Sequence, residues 1–572
     1  MMAISAHVAT APVWRRALAH ACNPGLLLAA LAFILYLPPA IRVVQLNPDV
    51  VEYVDIGRRL VAGEGYRLGV KAYHFGGTEV LHDGLAERPP LYPLMVAALF
   101  KAGLGLLGVQ VANAVLASAC VALVFALGAR LFGRRAGLLA GLLAVASPVM
   151  VARMVPPMTE AVALSLSLLA AWLVVRFADP PRWQAFAVAG MALGLGYLTR
   201  PTAAGLALAL LLGVAAAGRN RRRLVAPIGA LLVGMTIFVF PITIYSLATR
   251  GSLSYSGQTY LYAVQKDADV LRNGYGRPLP TPAEFVTANP DFVAAAVLDN
   301  ISDYAKLVFL DGDWLLLLLP VWPFAIAALV RGRYPRAACP VLLLAAANFF
   351  TYALTWANYQ ERYQLLTLLL LLPFAVDGLE RLGLSRLSLA LGRRVDLLHI
   401  AVAGIALFWS VTLVREYRGE FRYGEEPTFT RVDRGLRWTG PPRWVQDNDL
   451  SRIIDWINAR TERDDVLAHG QPWPFTFFTE RPATLLPIKL TPERLRGFLV
   501  DYRVAYVLLD TRDRDRRVYQ DDLEAFATEG VRMTGLGNYR VFDTRSLWSS
   551  PSAPLPSPTL GRGAGGEGSM RG

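Results

Sequence analysis

The residues of this chain best suited to chemistry stand where apolar runs give way to polar sequence. They are Asp49, in Asn47-Pro48-Asp49-Val50-Val51-Glu52-Tyr53, the pair Glu87-Arg88, and Glu160, Arg200 and Arg362. A carboxylate accepts protons, and a guanidinium holds a phosphate or carboxylate with two parallel bonds. Within a bilayer either charge costs about 2.5–3.5 kcal/mol at mid-helix, so its presence asks for a reason. Each residue also has a structural reading. Asp49-x-x-Glu52 is capping-box-like, and Asp49 would then start a helix that Gly63 and Gly65 stop. Asp49 and Tyr53 lie one helical turn apart and share a face. Glu87 can pair with Arg88, and Arg362 with Glu361. Glu160 suits a helix start through the macrodipole, and Arg200 can snorkel to an interface. His74 and His82, with Asp83, lack a third ligand at a recognised spacing and read as solvent-facing rather than as a zinc site. Asp311-Gly312-Asp313 reads as the cap of the helix that follows it.

Apolar helices must position these groups. Of the 572 residues 54% are hydrophobic and 18% charged, against about 25% charged in soluble proteins. That excludes an ordinary soluble enzyme and a largely disordered chain. The net charge of +13 is carried mainly by arginine, with lysine only at Lys71, Lys101, Lys266, Lys306 and Lys489. The arginines fall in short loops between apolar blocks, as membrane topology requires, so nucleic acid is not an expected partner. Cys22, Cys120 and Cys339 show neither metal nor disulfide spacing. Trp14, Arg15 and Arg16 ahead of the apolar run from Gly25 predict a retained signal-anchor helix, with residues 1–24 in the cytoplasm.

Blocks of about twenty apolar residues match a bilayer core of roughly 30 Å. Eleven candidate spans lie within residues 25–415: 25–44, 109–131, 136–153, 160–177, 183–199, 201–218, 225–247, 313–330, 337–356, 363–380 and 397–414. The stretch 91–107 is short and carries Lys101. If it does not cross, the arginine clusters between spans all fall inside; if it crosses, they all move outside. The expected arrangement therefore lays 91–107 on the outer surface or as a re-entrant segment, with the N-terminus inside and the C-terminus outside. The outward parts are then the loops 45–108 and 248–312 and a small α/β domain over 416–546. In that domain Thr491-Pro492-Glu493 begins a helix, and Val504–Leu509 and Tyr539–Phe542 read as strands. Residues 547–572, rich in Ser, Pro and Gly, are expected to be disordered.

Asp49-x-x-x-Tyr53, then Gly63-x-Gly65-Tyr66, then Glu87-Arg88-Pro89-Pro90-Leu91-Tyr92-Pro93 resembles the GT-C superfamily of membrane glycosyltransferases. The likeness is above all to glycosyltransferase family 39 and its bacterial relatives, among them protein O-mannosyltransferases and the aminoarabinose transferase of lipid A. Residues 133–140 with Ser147-Pro148 and Glu160 are similar to that family's second outer loop. Gly194-Leu195-Gly196-Tyr197-Leu198-Thr199-Arg200-Pro201 resembles its GLAxLTRP segment, and Glu361-Arg362-Tyr363 its RYLLP segment. Asp455-Trp456 through Arg481-Pro482 resembles the start of its outer C-terminal domain. The likeness covers most of residues 25–545.

The resemblance implies an α-helical polytopic membrane protein of GT-C type in a bacterial cytoplasmic membrane. It implies inverting transfer of a sugar from a polyprenyl-phosphate carrier to a glycan, lipid or protein outside. Asp49 corresponds to the general base and Glu87 to a second acid near the reaction centre that binds sugar or metal. Glu160 matches an acid of the second outer loop. Arg200, Arg362 and Arg88 match or suit contacts with the carrier phosphate, and Tyr53, Tyr66 and Tyr92 suit the sugar pocket. A divalent metal, Mg²⁺ or Mn²⁺, would draw oxygens from Asp49, Glu87 and Glu160, although several relatives do without one. Two departures stand out. Val50 follows Asp49 where the family often has an acid or serine, and nothing resembles the lumenal domain of the protein O-mannosyltransferases, which argues against protein mannosylation. The competing classes are a lipid-linked sugar transporter or flippase, a glycan polymerase or ligase of another fold, and an inactive assembly partner. Transporters place ionisable groups at the midplane and show inverted repeats. Here the acids fall at the expected outer ends, and no repeat is visible.

Overall fold

A computed structural model describes residues 23–72, 79–218, 221–250, 266, 275, 282–309, 323, 326, 330, 334–355, 361–381, 388–391, 393–415, 428–432, 435–438 and 448–549. The expected anchor residues Trp14, Arg15 and Arg16, along with Cys22, His74, Asp311-Gly312-Asp313, nearly all of the span 313–330 and the tail from 550, lie outside them. The chain divides into two compact units. One comprises residues 1–43, 107–241 and 298–421, the other 44–106, 242–297 and 422–572.

The first unit is a bundle of apolar helices. Among the described residues five helices of the chain are long and apolar enough to cross a membrane: Pro24–Arg42, Gly105–Phe132, Arg222–Thr249, Arg336–Leu354 and Arg362–Arg381. The pair Arg134–Ala146 and Pro148–Met154, bent by 58°, makes a sixth if it is one span. The bend has a local cause, because proline has no N–H to continue the ladder and disfavours helical backbone at the residue before it. Ser147 is accordingly extended, and Pro148 opens the second helix. Three further expected spans form helices of 17, 15 and 15 residues, Glu160–Arg176, Trp183–Tyr197 and Ala203–Ala217. At about 1.5 Å per residue they reach roughly 23–26 Å, short of a full core. The bundle interior is built on Leu127, Leu143, Leu168, Leu344, Phe374 and Trp409, all essentially inaccessible. Glu160–Arg176 packs on Trp183–Tyr197 and on Cys339–Thr355, and the latter packs on Glu361–Arg381.

The second unit is built on a six-stranded sheet: β1 Val70–Lys71, β2 Val466–His469, β3 Ala483–Leu485, β4 Val504–Asp510, β5 Arg532–Leu536 and β6 Tyr539–Asp543, in the order β5-β6-β4-β2-β3-β1. β4, β2, β3 and β1 are parallel, and β6 runs antiparallel to β4 and β5. All seven residues of β4 are buried, which explains why its sequence is apolar without alternation. β1 belongs to the first loop and pairs Val70 with Ala483, so the sheet of the expected C-terminal domain is completed from the other end of the sequence. Gly537, with φ of 60°, closes the β5–β6 hairpin beside Asp449. A Cβ there would come within 2.3 Å of the Asp449 carboxylate.

The first-loop helix Pro48–Val61 positions the chemistry of this unit. Its cap is Asn47, whose side chain accepts from the Val50 N–H at 2.8 Å. Asp49, read as a possible cap, instead lies in the first turn. Pro48 decides this, since its fixed φ suits the first helical position. Helix Leu91–Lys101, from the stretch expected not to cross, is eleven residues and about 16 Å long. It packs against Pro48–Val61 at Gly57, where a Cβ would meet Val96 at 2.6 Å.

Candidate functional site

In the second unit Asp49, Glu52 and Tyr53 share one face of the first-loop helix. The turn Gly84–Ala86, capped by Asp83, sets Arg88 against that face, and the Tyr66 hydroxyl donates to the Arg88 and Pro89 carbonyls. Arg88 Nη2 lies 2.7 Å from Asp49 Oδ1, and Arg88 Nε donates to Glu52 Oε2 at 2.5 Å. Its guanidinium also lies over the Tyr53 ring, which meets Tyr92 edge-on at 5.1 Å. The two acids differ in access: the Asp49 side chain is 22% exposed, the Glu52 side chain 1%. Trp473, opening a short helix of the C-terminal segment, donates its indole N–H to Glu52 Oε1 at 2.8 Å. Burial pushes the Glu52 carboxyl up to about 7 against the pull of Arg88. Arg88 remains well above its ordinary value, because Glu52 and Asp49 outweigh its own burial.

Glu87 does not pair with its neighbour Arg88. Its carboxylate lies 2.9 Å from His82 Nε2. Burial works against charge on His82, but the bond and charge of Glu87 outweigh it and hold the imidazole above its ordinary value. His82 is therefore a half-buried partner of an acid rather than a solvent-facing side chain. Lys71 on β1 is also buried. Desolvation brings its ammonium down to about 8 despite the pull of Glu87 and Glu79.

In the first unit Glu160 opens its helix and is fully buried. Arg200, in the turn that Pro201 forces after Trp183–Tyr197, donates Nη2 to Glu160 Oε1 at 2.5 Å, Nε to Thr159 Oγ1 at 2.9 Å and Nη1 to the Tyr352 hydroxyl at 3.2 Å. Arg362, in the first turn of Glu361–Arg381, brings Nη1 to 3.6 Å from the same Glu160 oxygen. Glu160 is thus one partner of Arg362, and the expected partner Glu361 has a side chain outside those described. Tyr352 and Tyr363 stack at 4.7 Å, and both guanidiniums lie over the Tyr363 ring. Arg200, Arg362, Tyr352, Tyr363, Asn348 and Ser167 line one pocket. Two arginines thus share one acid, and Glu160 Oε2 is buried without a hydrogen-bond partner.

Asp49, Glu87 and Glu160 each lie against a basic group, and the described residues contain no group of three or more His, Cys, Asp or Glu able to hold an ion.

Residues 87–245 match the family model described as dolichyl-phosphate-mannose-protein mannosyltransferase. No curated protein matches the chain. ArnT from Cupriavidus metallidurans, solved bound to undecaprenyl phosphate, is 14% identical with a TM-score of 0.55, over 93% of this chain and 99% of that one. The archaeal oligosaccharyltransferase AglB from Archaeoglobus fulgidus, solved with an inhibitory peptide and a dolichol-phosphate, is 12% identical with a TM-score of 0.55, over 94% and 76%. The fold is that of the GT-C membrane glycosyltransferases. The family match begins at Glu87 and takes in Arg88, Glu160 and Arg200, while Asp49, Tyr53 and Arg362 lie outside it.

Within this GT-C fold several groups escape sequence reasoning. Glu52 is legible only as half of a cap, and Trp473 stands 421 residues away from it. Lys71 carried one signal, being a rare lysine in an arginine-rich chain. Tyr352 and Tyr363 are ordinary aromatics of apolar helices until the fold stacks them beside Arg200 and Arg362.

Proposed function

We propose that this chain is an inverting glycosyltransferase that moves a sugar from a polyprenyl-phosphate carrier to an acceptor hydroxyl outside the membrane. The observation that carries the reading is the Arg200–Glu160–Arg362 cluster. Its two guanidiniums converge on one carboxylate and line an open pocket, and a phosphate there would be held in the geometry arginine prefers. The solved proteins of this fold named above were bound to undecaprenyl phosphate and to a dolichol-phosphate, which supports the same donor class here.

The reaction asks for a base and for stabilisation of a leaving phosphate. Asp49, the more accessible of the two acids on Arg88, takes the acceptor proton. The freed oxygen attacks the anomeric carbon, the bond from that carbon to the phosphate oxygen breaks, and its electron pair leaves with the phosphate. A single displacement inverts the anomeric centre. Arg200 and Arg362 stabilise the charge that gathers on the phosphate. Arg88 serves as the partner of Asp49 rather than as a phosphate ligand. Glu87, steadied by His82, together with Tyr53, contributes to the sugar side. No step is assigned to a metal. In this reading the chain crosses a bacterial cytoplasmic membrane eleven times, with the N-terminus inside and the 416–546 domain outside.

The test is transfer of radiolabel from mannosyl, glucosyl, arabinosyl and aminoarabinosyl undecaprenyl phosphates to membrane acceptors. Wild type should consume one donor, and Asp49→Asn at matched expression should lose roughly 10²–10⁴-fold. Full transfer by Asp49→Asn would remove the base assignment. Consumption of none of the four donors by wild type would remove the proposed donor class.

A further inference from the structure

Glu52 is an ionisable group that the proposed reaction does not use. It cannot meet a substrate, because only 1% of its side chain is exposed. Both of its oxygens are nevertheless engaged by donors from distant parts of the chain: Oε2 by Arg88 Nε, Oε1 by the indole of Trp473. Arg88 in turn reaches Asp49 with Nη2 at 2.7 Å. The result is a line of contacts, Trp473–Glu52–Arg88–Asp49, that begins in the C-terminal segment and ends on the accessible carboxylate. A burial this complete is costly for a charged group unless it is paired and hydrogen-bonded, and Arg88 and Trp473 supply that pairing.

We infer that Glu52, pinned by Trp473, is a positioning residue that governs how tightly Arg88 holds Asp49. The inference rests on the reading of Asp49 as the base. With Glu52 ionised, one guanidinium divides its attraction between two carboxylates, and Asp49 is free enough to take a proton. With Glu52 neutral, the full charge of Arg88 falls on Asp49 and locks it in its ion pair. Among the described residues the groups acting on Glu52 come from two other parts of the chain. They are Arg88 and Glu87 from the turn before Leu91–Lys101, with Glu87 itself bound to His82 and near Lys71, and Trp473 from a helix that carries no ionisable side chain. Burial, set against Arg88 and Trp473, brings the Glu52 carboxyl to about 7. Glu52 therefore binds its proton, and transfer falls, as pH drops through that value.

The experiment is the pH profile of kcat/KM for sugar transfer by the full chain, using whichever undecaprenyl-phosphate sugar wild type consumes. Wild type is expected to show an acid limb near about 7. Glu52→Gln cannot titrate, so the limb should vanish, leaving a flat profile about tenfold below the wild-type plateau. Trp473→Phe removes a bond that favours the ionised form, so its limb should move to higher pH; a purely structural role for Trp473 would lower activity at every pH and leave the limb in place. Infrared spectra of the protein without substrate should show a protonated carboxyl band that titrates over the same range in wild type and is missing in Glu52→Gln. A wild-type limb that persists at the same midpoint in both variants overturns the inference while Asp49→Asn is inactive. An active Asp49→Asn overturns the base reading and this inference together. If Glu52→Gln fails to fold, the Trp473→Phe profile and the wild-type infrared titration decide.

Discussion

In the first loop one guanidinium, Arg88, serves two carboxylates, whereas in the bundle one carboxylate, Glu160, serves two guanidiniums. The contacts are of the same kind, but the ratio of acid to base is reversed. The first cluster presents a partly exposed aspartate and suits proton removal. The second presents two guanidiniums beside an open pocket and suits an anion. Burial sharpens the difference. Asp49 can be neutralised and still meet water, but Glu160 is fully enclosed, so its loss strands two arginines in a largely buried site.

The largest effect of breaking this comparison should therefore appear at Glu160. Removing one member of a buried pair costs about 3–5 kcal/mol. Glu160→Gln should lower thermal stability in detergent by that order, while Asp49→Asn should lose activity with little loss of stability. The comparison sharpens on adding undecaprenyl phosphate. An anion that enters the pocket replaces the missing charge, so the lipid should raise the melting temperature of Glu160→Gln more than that of wild type, as linkage requires of a ligand that binds only the folded state. Equal shifts would mean that the lipid does not sense the charge of the cluster.

The next effect is smaller and concerns shape rather than charge. Arg200 makes three separate contacts from one planar group, to Glu160, Thr159 and the Tyr352 hydroxyl. Lysine keeps the charge but cannot reproduce that fork. Arg200→Lys should cost roughly 10- to 100-fold in kcat/KM, about 1.4–2.7 kcal/mol. An unchanged value would show that a point charge suffices and that the fork serves only to hold Thr159 and Tyr352.

The two clusters also differ in how far the sequence discloses them. Glu160, Arg200 and Arg362 stand at the ends of apolar runs, where a charge draws notice by its cost, and the fold gathers all three. Asp49 was legible for the same reason. Its setting was not, since the cap proved to be Asn47 and the third partner of the cluster comes from residue 473. A contact across 421 residues leaves no trace in local periodicity. The same limit applies to β1, two residues of the first loop whose role is defined only by pairing with Ala483 and Thr484. The spans read as 183–199 and 201–218 each run two residues past their helices toward Arg200, because Pro201 has no N–H to continue the ladder and the chain turns over Leu198–Thr202.

The smallest effect concerns Glu87, the second candidate acid of the first loop. His82 is held above its ordinary value by Glu87. A group whose folded value is raised stabilises fully below its unfolded value, about 6.5 for histidine, and that contribution disappears as pH rises through the folded value. The stability advantage of wild type over His82→Gln, read as a difference in melting temperature, should therefore be larger at about pH 5.5 than at about pH 8.5. Groups that titrate alike in both proteins cancel in that difference, so the trend reports the pair itself. The expected change is about 1 kcal/mol or less, because the imidazole is still 19% exposed. An advantage that grew with pH would mean that His82 is neutral when folded. Glu87 would then answer chiefly to Lys71, and the first loop would hold its second acid with a lysine where the bundle holds Glu160 with arginines.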